Sequence, residues 1–252
     1  MCQLLGVCAN REVDINFSFA EWNHRGRDHP HGYGFAWYRS GTLHIHKDAA
    51  SLYEQRATAG QTMRHVRSHI FVAHARFATV GKQDGSNTHP FRAQFNNREF
   101  TFAHNGHVPN IKQRRLRWRE PAGETDSEYA FLWLLEQLED TPDREFAGRL
   151  KALADDVRGV GSRFNFLMSD GQTLWAYADH SLHYLERTPP YQGVEVRLRQ
   201  GGYAIDLARI KALDERAVLV ATEPLTYKEG WTGLGRGELL VVRERRVERR
   251  LI

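Results

Sequence analysis

Residues 70–79 read Ile-Phe-Val-Ala-His-Ala-Arg-Phe-Ala-Thr. A strand with one wet face alternates apolar and polar residues, so this near-continuous apolar run predicts a strand buried on both faces. Further strands are predicted on either side of it. Upstream, residues 2–9 form a short apolar strand, and Gly32 to Tyr38 and Thr42 to His46 flank a turn at Ser40-Gly41 as a hairpin. Residues 51–68 predict a weak helix, interrupted by Gly60. Downstream, Glu99 to His104 is a strand that ends at Asn105-Gly106. Thr125 to Glu139 is the clearest helix, with Thr125 and Glu128 as a capping box and Ala130, Phe131, Leu134, Leu135 and Leu138 as its apolar stripe. A second amphipathic helix, Asp143 to Val157, carries Phe146, Leu150, Leu153 and Val157 on one face. Phe164 to Ser169 and Thr173 to Ala178 flank Asp170-Gly171, a two-residue hairpin signal. Ala217 to Thr222 and Glu238 to Arg243 are further strands. Strands at both ends and two consecutive helices between them predict a layered α+β fold rather than an alternating βαβ one. No repeat, low-complexity stretch or linker divides the chain, so residues 1–252 are expected to form a single domain.

Composition narrows the function classes. The chain has 252 residues, 41% hydrophobic and 26% charged, with a net charge of +4 and only two cysteines. Two cysteines exclude a disulfide scaffold and a zinc site of three or four thiolates. No apolar run approaches the ~20 residues of a membrane-spanning helix, and with no basic start and only a short apolar stretch at residues 1–6 a secretory signal is not expected. A cytoplasmic protein is expected. Basic runs at 112–119 and 243–250 read as solvated faces, the second with interleaved Glu244 and Glu248, so a nucleic-acid partner is not expected. His44 and His46 share one face of a strand, but no third ligand stands at a recognisable spacing and no metal is expected.

Four places could carry chemistry. Cys2 follows Met1. With Met1 removed, its own α-amine, of pKa about 7.7–8.0, could serve as base for its thiol; the alternative is an inert strand cysteine. Arg76 closes the strand whose alternate residues are Val72 and His74, and a buried guanidinium needs a carboxylate from the protein or from a ligand. Thr79 follows, where a hydroxyl could bind the same anion. Asn105-Gly106 is either a tight turn or an amide and an N–H aimed at a developing oxyanion. Asp126 suits the first turn of its helix whatever the function, and could also hold a substrate ammonium group. Together these are a nucleophile, an oxyanion hole and binders for both ends of an α-amino acid.

The sequence resembles the class II glutamine amidotransferases, of the N-terminal-nucleophile type. The resemblance rests on Met1-Cys2, His74-Ala75-Arg76-Phe77-Ala78-Thr79, Asn87-Thr88-His89-Pro90-Phe91, Ala103-His104-Asn105-Gly106 and Thr125-Asp126-Ser127-Glu128, in family order and spacing. It implies a four-layer α/β/β/α sandwich. It implies Cys2 as nucleophile and Asn105 with the Gly106 N–H as oxyanion hole. Arg76 and Thr79 would take the substrate α-carboxylate and Asp126 the α-ammonium. Phe77 stands where some relatives place Trp, and His74 and His104 would support the site rather than act as bases. His31-Gly32-Tyr33-Gly34 departs from the family's Asp-Gly-x-Gly, while Arg25-Gly26 resembles the loop that closes over glutamine in larger members. The implied reaction is hydrolysis of glutamine or another γ-glutamyl amide, with no cofactor. A separate synthase subunit that receives ammonia is one alternative, because the chain holds no phosphate loop of its own. A non-catalytic binding or regulatory module on the same fold is another.

Overall fold

The computed structural model describes residues 2–77, 82, 84–159, 161–200, 202–244 and 246–252, with residues 25 and 26 described for their backbone alone. The first half runs β1 (Gln3–Val13), α1 (Asn16–Arg25), β2 (Tyr33–Arg39), β3 (Thr42–Asp48), α2 (Arg56–Met63), β4 (Ser68–Ala75), β5 (Phe91–Phe95) and β6 (Arg98–His107). Then come α3 (Asp126–Gln137), α4 (Asp143–Val157), β7 (Arg163–Ser169), β8 (Thr173–Ala178) and β9 (His183–Arg187). The remainder is β10 (Glu195–Leu198), β11 (Ala204–Asp206), β12 (Ala217–Ala221), β13 (Thr226–Tyr227), β14 (Thr232–Gly233), β15 (Glu238–Arg243) and β16 (Arg246–Leu251).

Two antiparallel sheets stack face to face. The first has the order β14-β9-β12-β1-β4-β2-β3 and the second β16-β15-β8-β7-β6-β5; β11-β10-β13 is a small third sheet. Side chains alternate across each strand, so each sheet feeds two cores. Leu4, Cys8, Ile70 and Val72 of the first sheet meet Ala103, Leu167, Leu174 and Leu240 of the second in the central layer. Leu5, Val7, Phe35, Phe71 and Ala73 face the other way, onto Phe19 and Trp22 of α1 and Ala59 and Met63 of α2. Phe100, Phe102, Phe164 and Phe166 pack beneath Phe131 and Leu135 of α3 and Leu150 of α4. The result is the four-layer α/β/β/α sandwich that the resemblance implied.

Several local expectations are corrected. The central strand ends at Ala75 rather than Thr79, though the Arg76 N–H still donates to the Gly32 carbonyl at 2.8 Å. The strand begun at 99 does not stop at Asn105-Gly106. It runs on to His107, pairing Asn105 with Asn165 and Gly106 with Phe164. Asn105-Gly106 is therefore not a turn. A Cβ at position 106 would lie 1.9 Å from the Arg163 carbonyl oxygen, so glycine is what lets the neighbouring strand approach. Within 51–68 only Arg56–Met63 is helical, and α1 carried no sequence expectation. Its signal is weak because the residues that bury it, Phe19 and Trp22, are few among polar neighbours. The capping box is half made. Thr125 Oγ1 accepts from the Glu128 N–H at 3.2 Å, but the Glu128 carboxylate binds the N–H groups of Ala122 and Gly123 at 3.0 and 2.7 Å. Those loop donors need an acceptor, and Glu128 serves them instead of its own cap.

His44 stacks on Trp37, with ring centroids 5.6 Å apart, and His46 stacks on Phe35. No group of three or more His, Cys, Asp or Glu among the described residues could hold a metal ion. No described helix is long and apolar enough to cross a membrane.

Candidate active site

The predicted residues gather at one end of the central layer. On β4, the residues facing that layer are 70, 72 and 74, and the same alternation carries Arg76 toward it. On β1 the central-layer parity is that of Leu4 and Cys8, which extends back to Cys2. On β6 it is that of Ala103 and therefore Asn105. Three strands of two facing sheets thus deliver Cys2, Arg76 and Asn105 to one place.

Cys2 is held by the backbone of Phe77. The Phe77 N–H donates to Cys2 Sγ at 3.2 Å, and the thiol reaches the Phe77 carbonyl at 3.4 Å. Burial pushes the thiol pKa above its ordinary value, and the Phe77 hydrogen bond and the Arg76 charge pull against it. Asn105 is buried, and its Nδ2 donates to the Cys2 carbonyl oxygen at 2.5 Å. The next turn of β1 is pinned as well. The Leu4 N–H donates to Thr222 Oγ1 at 2.9 Å, and the Thr222 N–H returns to the Leu4 carbonyl at 3.2 Å. Asn165, opposite Asn105, accepts from the N–H groups of Asp179 and His180 at 2.6 and 3.0 Å and donates to Ser181. An Asn in the apolar run 163–169 was the sequence signal for this brace, and it went unread.

Arg76 is buried, and its Nη1 donates to the Lys82 carbonyl at 3.2 Å. Burial lowers its pKa, while nearby Cys2 and Asp84 oppose that shift. Thr79 lies outside the described residues. Phe77 is 43% exposed, and the rings of His31 and His29 stand 5.2 and 6.5 Å from it. The loop that departs from the family pattern therefore borders the thiol's immediate neighbour.

Asp126 opens α3 across the site. Its Oδ2 accepts from the Val108 N–H at 2.6 Å and lies 3.1 Å from His107 Nδ1. His104 is buried between the Ser127 hydroxyl, 2.8 Å from Nδ1, and the Arg163 carbonyl, 3.0 Å from Nε2. A carbonyl only accepts, so in the neutral ring Nε2–H donates to Arg163 and Nδ1 accepts the Ser127 proton, which leaves Ser127 Oγ 3.4 Å from Asp126 Oδ1. His104 thus orients Ser127 beside the carboxylate, a neighbour that sequence reading did not assign. His74 and His89 are buried with ring centroids 4.1 Å apart, and neither His89 ring nitrogen has a hydrogen-bond partner among the described residues. Burial holds both far below the ordinary histidine value. They are neutral supports, unsuited to carrying a proton near neutral pH.

A thiol, a buried guanidinium, an amide donor and a fixed carboxylate at one sheet end match the set expected of a glutamine-handling site. The family profile described as glutamine amidotransferases class-II matches residues 1–250. The chain belongs to the class II glutamine amidotransferases. This amidotransferase is 37% identical over 248 residues to an uncharacterized protein of Methanocaldococcus jannaschii, covering 96% of this chain and 69% of that one. It is 35% identical over 247 residues to the Escherichia coli protein named "Putative glutamine amidotransferase YafJ", over 94% of this chain and 96% of the relative. Among solved structures, a predicted glutamine amidotransferase from Pseudomonas aeruginosa superposes with a TM-score of 0.75 at 27% identity, covering 98% of this chain and 100% of that one. Glutamine phosphoribosylpyrophosphate amidotransferase of Bacillus subtilis shares the fold, with a TM-score of 0.61 at 15% identity over 96% of this chain and 47% of its own.

Proposed function

We propose that this amidotransferase hydrolyses the amide of glutamine or of another γ-glutamyl compound through a thioester on Cys2. The observation that carries the reading is the meeting of Cys2 with the Asn105 amide, whose Nδ2 stands 2.5 Å from the Cys2 carbonyl oxygen, beside the buried Arg76. In this reading Met1 is removed and the Cys2 α-amine accepts the thiol proton. The thiolate adds to the δ-carbonyl carbon. Asn105 Nδ2 and the Gly106 N–H take the negative charge that moves onto the carbonyl oxygen. The C–N bond breaks as the α-ammonium returns its proton to the leaving nitrogen, releasing ammonia or an amine. Water then adds to the thioester and glutamate leaves. Arg76 and Thr79 bind the α-carboxylate, Asp126 binds the α-ammonium, and Phe77 shapes the entrance. His74 and His104 hold the frame.

The test is the intact mass of the purified protein before and after a glutamine-analogue thiol reagent. Loss of one Met and a single adduct on Cys2, absent in Cys2→Ala, are expected. Turnover by a chain that keeps Met1, or full activity of Cys2→Ala, would sink the mechanism. Adding cell extract to a glutaminase assay probes the leaving group's destination: strong stimulation identifies a synthase subunit that takes the ammonia, whereas no stimulation fits a self-sufficient hydrolase.

A further inference from the structure

Asn87 belongs to a segment that the sequence singled out but to which no role was attached. Its side chain is 1% exposed and joins two loops. On one branch, Nδ2 donates to the Lys82 carbonyl and to Asp84 Oδ2, each at 3.2 Å. That same Lys82 carbonyl accepts from Arg76 Nη1 at 3.2 Å. On the other branch, Oδ1 accepts from the Glu124 N–H at 2.7 Å. Glu124 stands two residues before Asp126, and the intervening Thr125 caps α3. The junction is tight. A Cβ on Gly123 would lie 2.6 Å from Asn87 Oδ1 and 2.9 Å from the Ser86 carbonyl oxygen. One amide therefore connects the support of the guanidinium to the support of the carboxylate across the site.

We infer that Asn87 is a positioning residue that fixes the separation between the Arg76 guanidinium and the Asp126 carboxylate, and so tunes the site to a free α-amino acid end. This rests on the recognition roles given to Arg76 and Asp126 under the proposed function. The ammonium and carboxylate of an α-amino acid are attached to one carbon, so their receptors must keep one spacing. An amide suits the junction because it donates from one branch and accepts on the other. Aspartate at this position would lose both donors and set a second carboxylate against Asp84. An aliphatic residue would leave the Glu124 N–H without its acceptor.

Steady-state kinetics with L-glutamine on Asn87→Ala and Gly123→Ala test this. Gly123→Ala leaves every Asn87 hydrogen-bonding group in place and only pries the loops apart, so it decides the matter if Asn87→Ala fails to fold. Expected is a rise in KM on the order of ten-fold with kcat held within about three-fold, because spacing governs binding before chemistry. Selectivity for glutamine over N-acetylglutamine, which lacks the ammonium, should narrow with it. Labelling of Cys2 by iodoacetamide should keep the wild-type rate. An unchanged KM in both variants, while Arg76→Lys and Asp126→Asn raise it, overturns the inference alone. A fall in kcat at constant KM also overturns it, since that marks a general structural role. If Arg76→Lys and Asp126→Asn themselves leave KM unchanged, the recognition roles fall and the inference falls with them.

Discussion

Lowering the pH from about 7 to 5.5 should destabilise this protein through three buried histidines. His74, His89 and His104 are each at most 4% exposed, and burial depresses the pKa of all three below the ordinary 6.5. The sign follows from which state takes up protons. Below 6.5 the unfolded chain protonates these rings while the folded core keeps them neutral, so stability falls with pH from 6.5 until each depressed native value is reached. A histidine that stays neutral in the native state costs about 1.3 kcal/mol over that pH step, so His74 and His89, held well below the ordinary value, cost about 2.6 kcal/mol and His104 adds in the same direction. For a chain of this size about 2.6 kcal/mol is a fall in melting temperature of about 5–10 °C. Half-buried His180, also shifted down by burial, adds in the same direction. Carboxylates contribute little in this window. Glu99, Glu136 and Glu238 are held below their ordinary 4.5, so the stability they add is lost only at lower pH. The assay is calorimetry or urea unfolding across the pH step, on wild type and on His89→Phe. The His89 ring makes no hydrogen bond to a described residue and already packs on Phe91, with centroids 4.5 Å apart, so phenylalanine removes a proton site without orphaning a described partner. The variant should lose between about a third and a half of the pH dependence. A melting temperature that is flat across the step, or a slope unchanged in His89→Phe, would refute the reasoning.

Other consequences are more local. Asn105→Ala should lower kcat by about 10²–10³ through loss of one oxyanion donor, and stopped-flow labelling should show Cys2 still accessible; a drop under ten-fold would remove Asn105 from the chemistry. Arg187 and Glu229 form a buried bidentate pair at 2.7 and 2.6 Å. Glu229→Gln should therefore cost about 3–5 kcal/mol in urea unfolding, because it leaves a guanidinium buried and uncompensated. The Cys2 thiol of the Met1-bearing chain should alkylate ever faster beyond pH 9.0, since burial raises its pKa above that value; a rate that levels off below 9.0 would contradict this.

The site was readable in part because Arg76 interrupts an apolar run, a departure visible in one dimension. Asp126 suits its helix start and stood out only beside the other residues of the set. Asn87, Ser127 and Asn165 were not assigned because each is an ordinary polar residue in sequence. Their importance lies in partners 37, 23 and 14 positions away. The strand end placed at Asn105-Gly106 was misjudged for the same reason. Asn-Gly favours a turn locally, but pairing with Phe164 and Asn165 overrides that preference.

Sequence alone determined the layered α+β class, the two central helices and the family's residues, because hydrophobic periodicity and short-range chemistry are encoded in neighbouring positions. Tertiary structure decided which strands face each other, and so which of those residues meet. Side-chain alternation assigns Cys2, Arg76 and Asn105 to one face of their strands. Only the stacking of two sheets turns those faces toward a common space, with Gly106 narrow enough to admit the strand beside it.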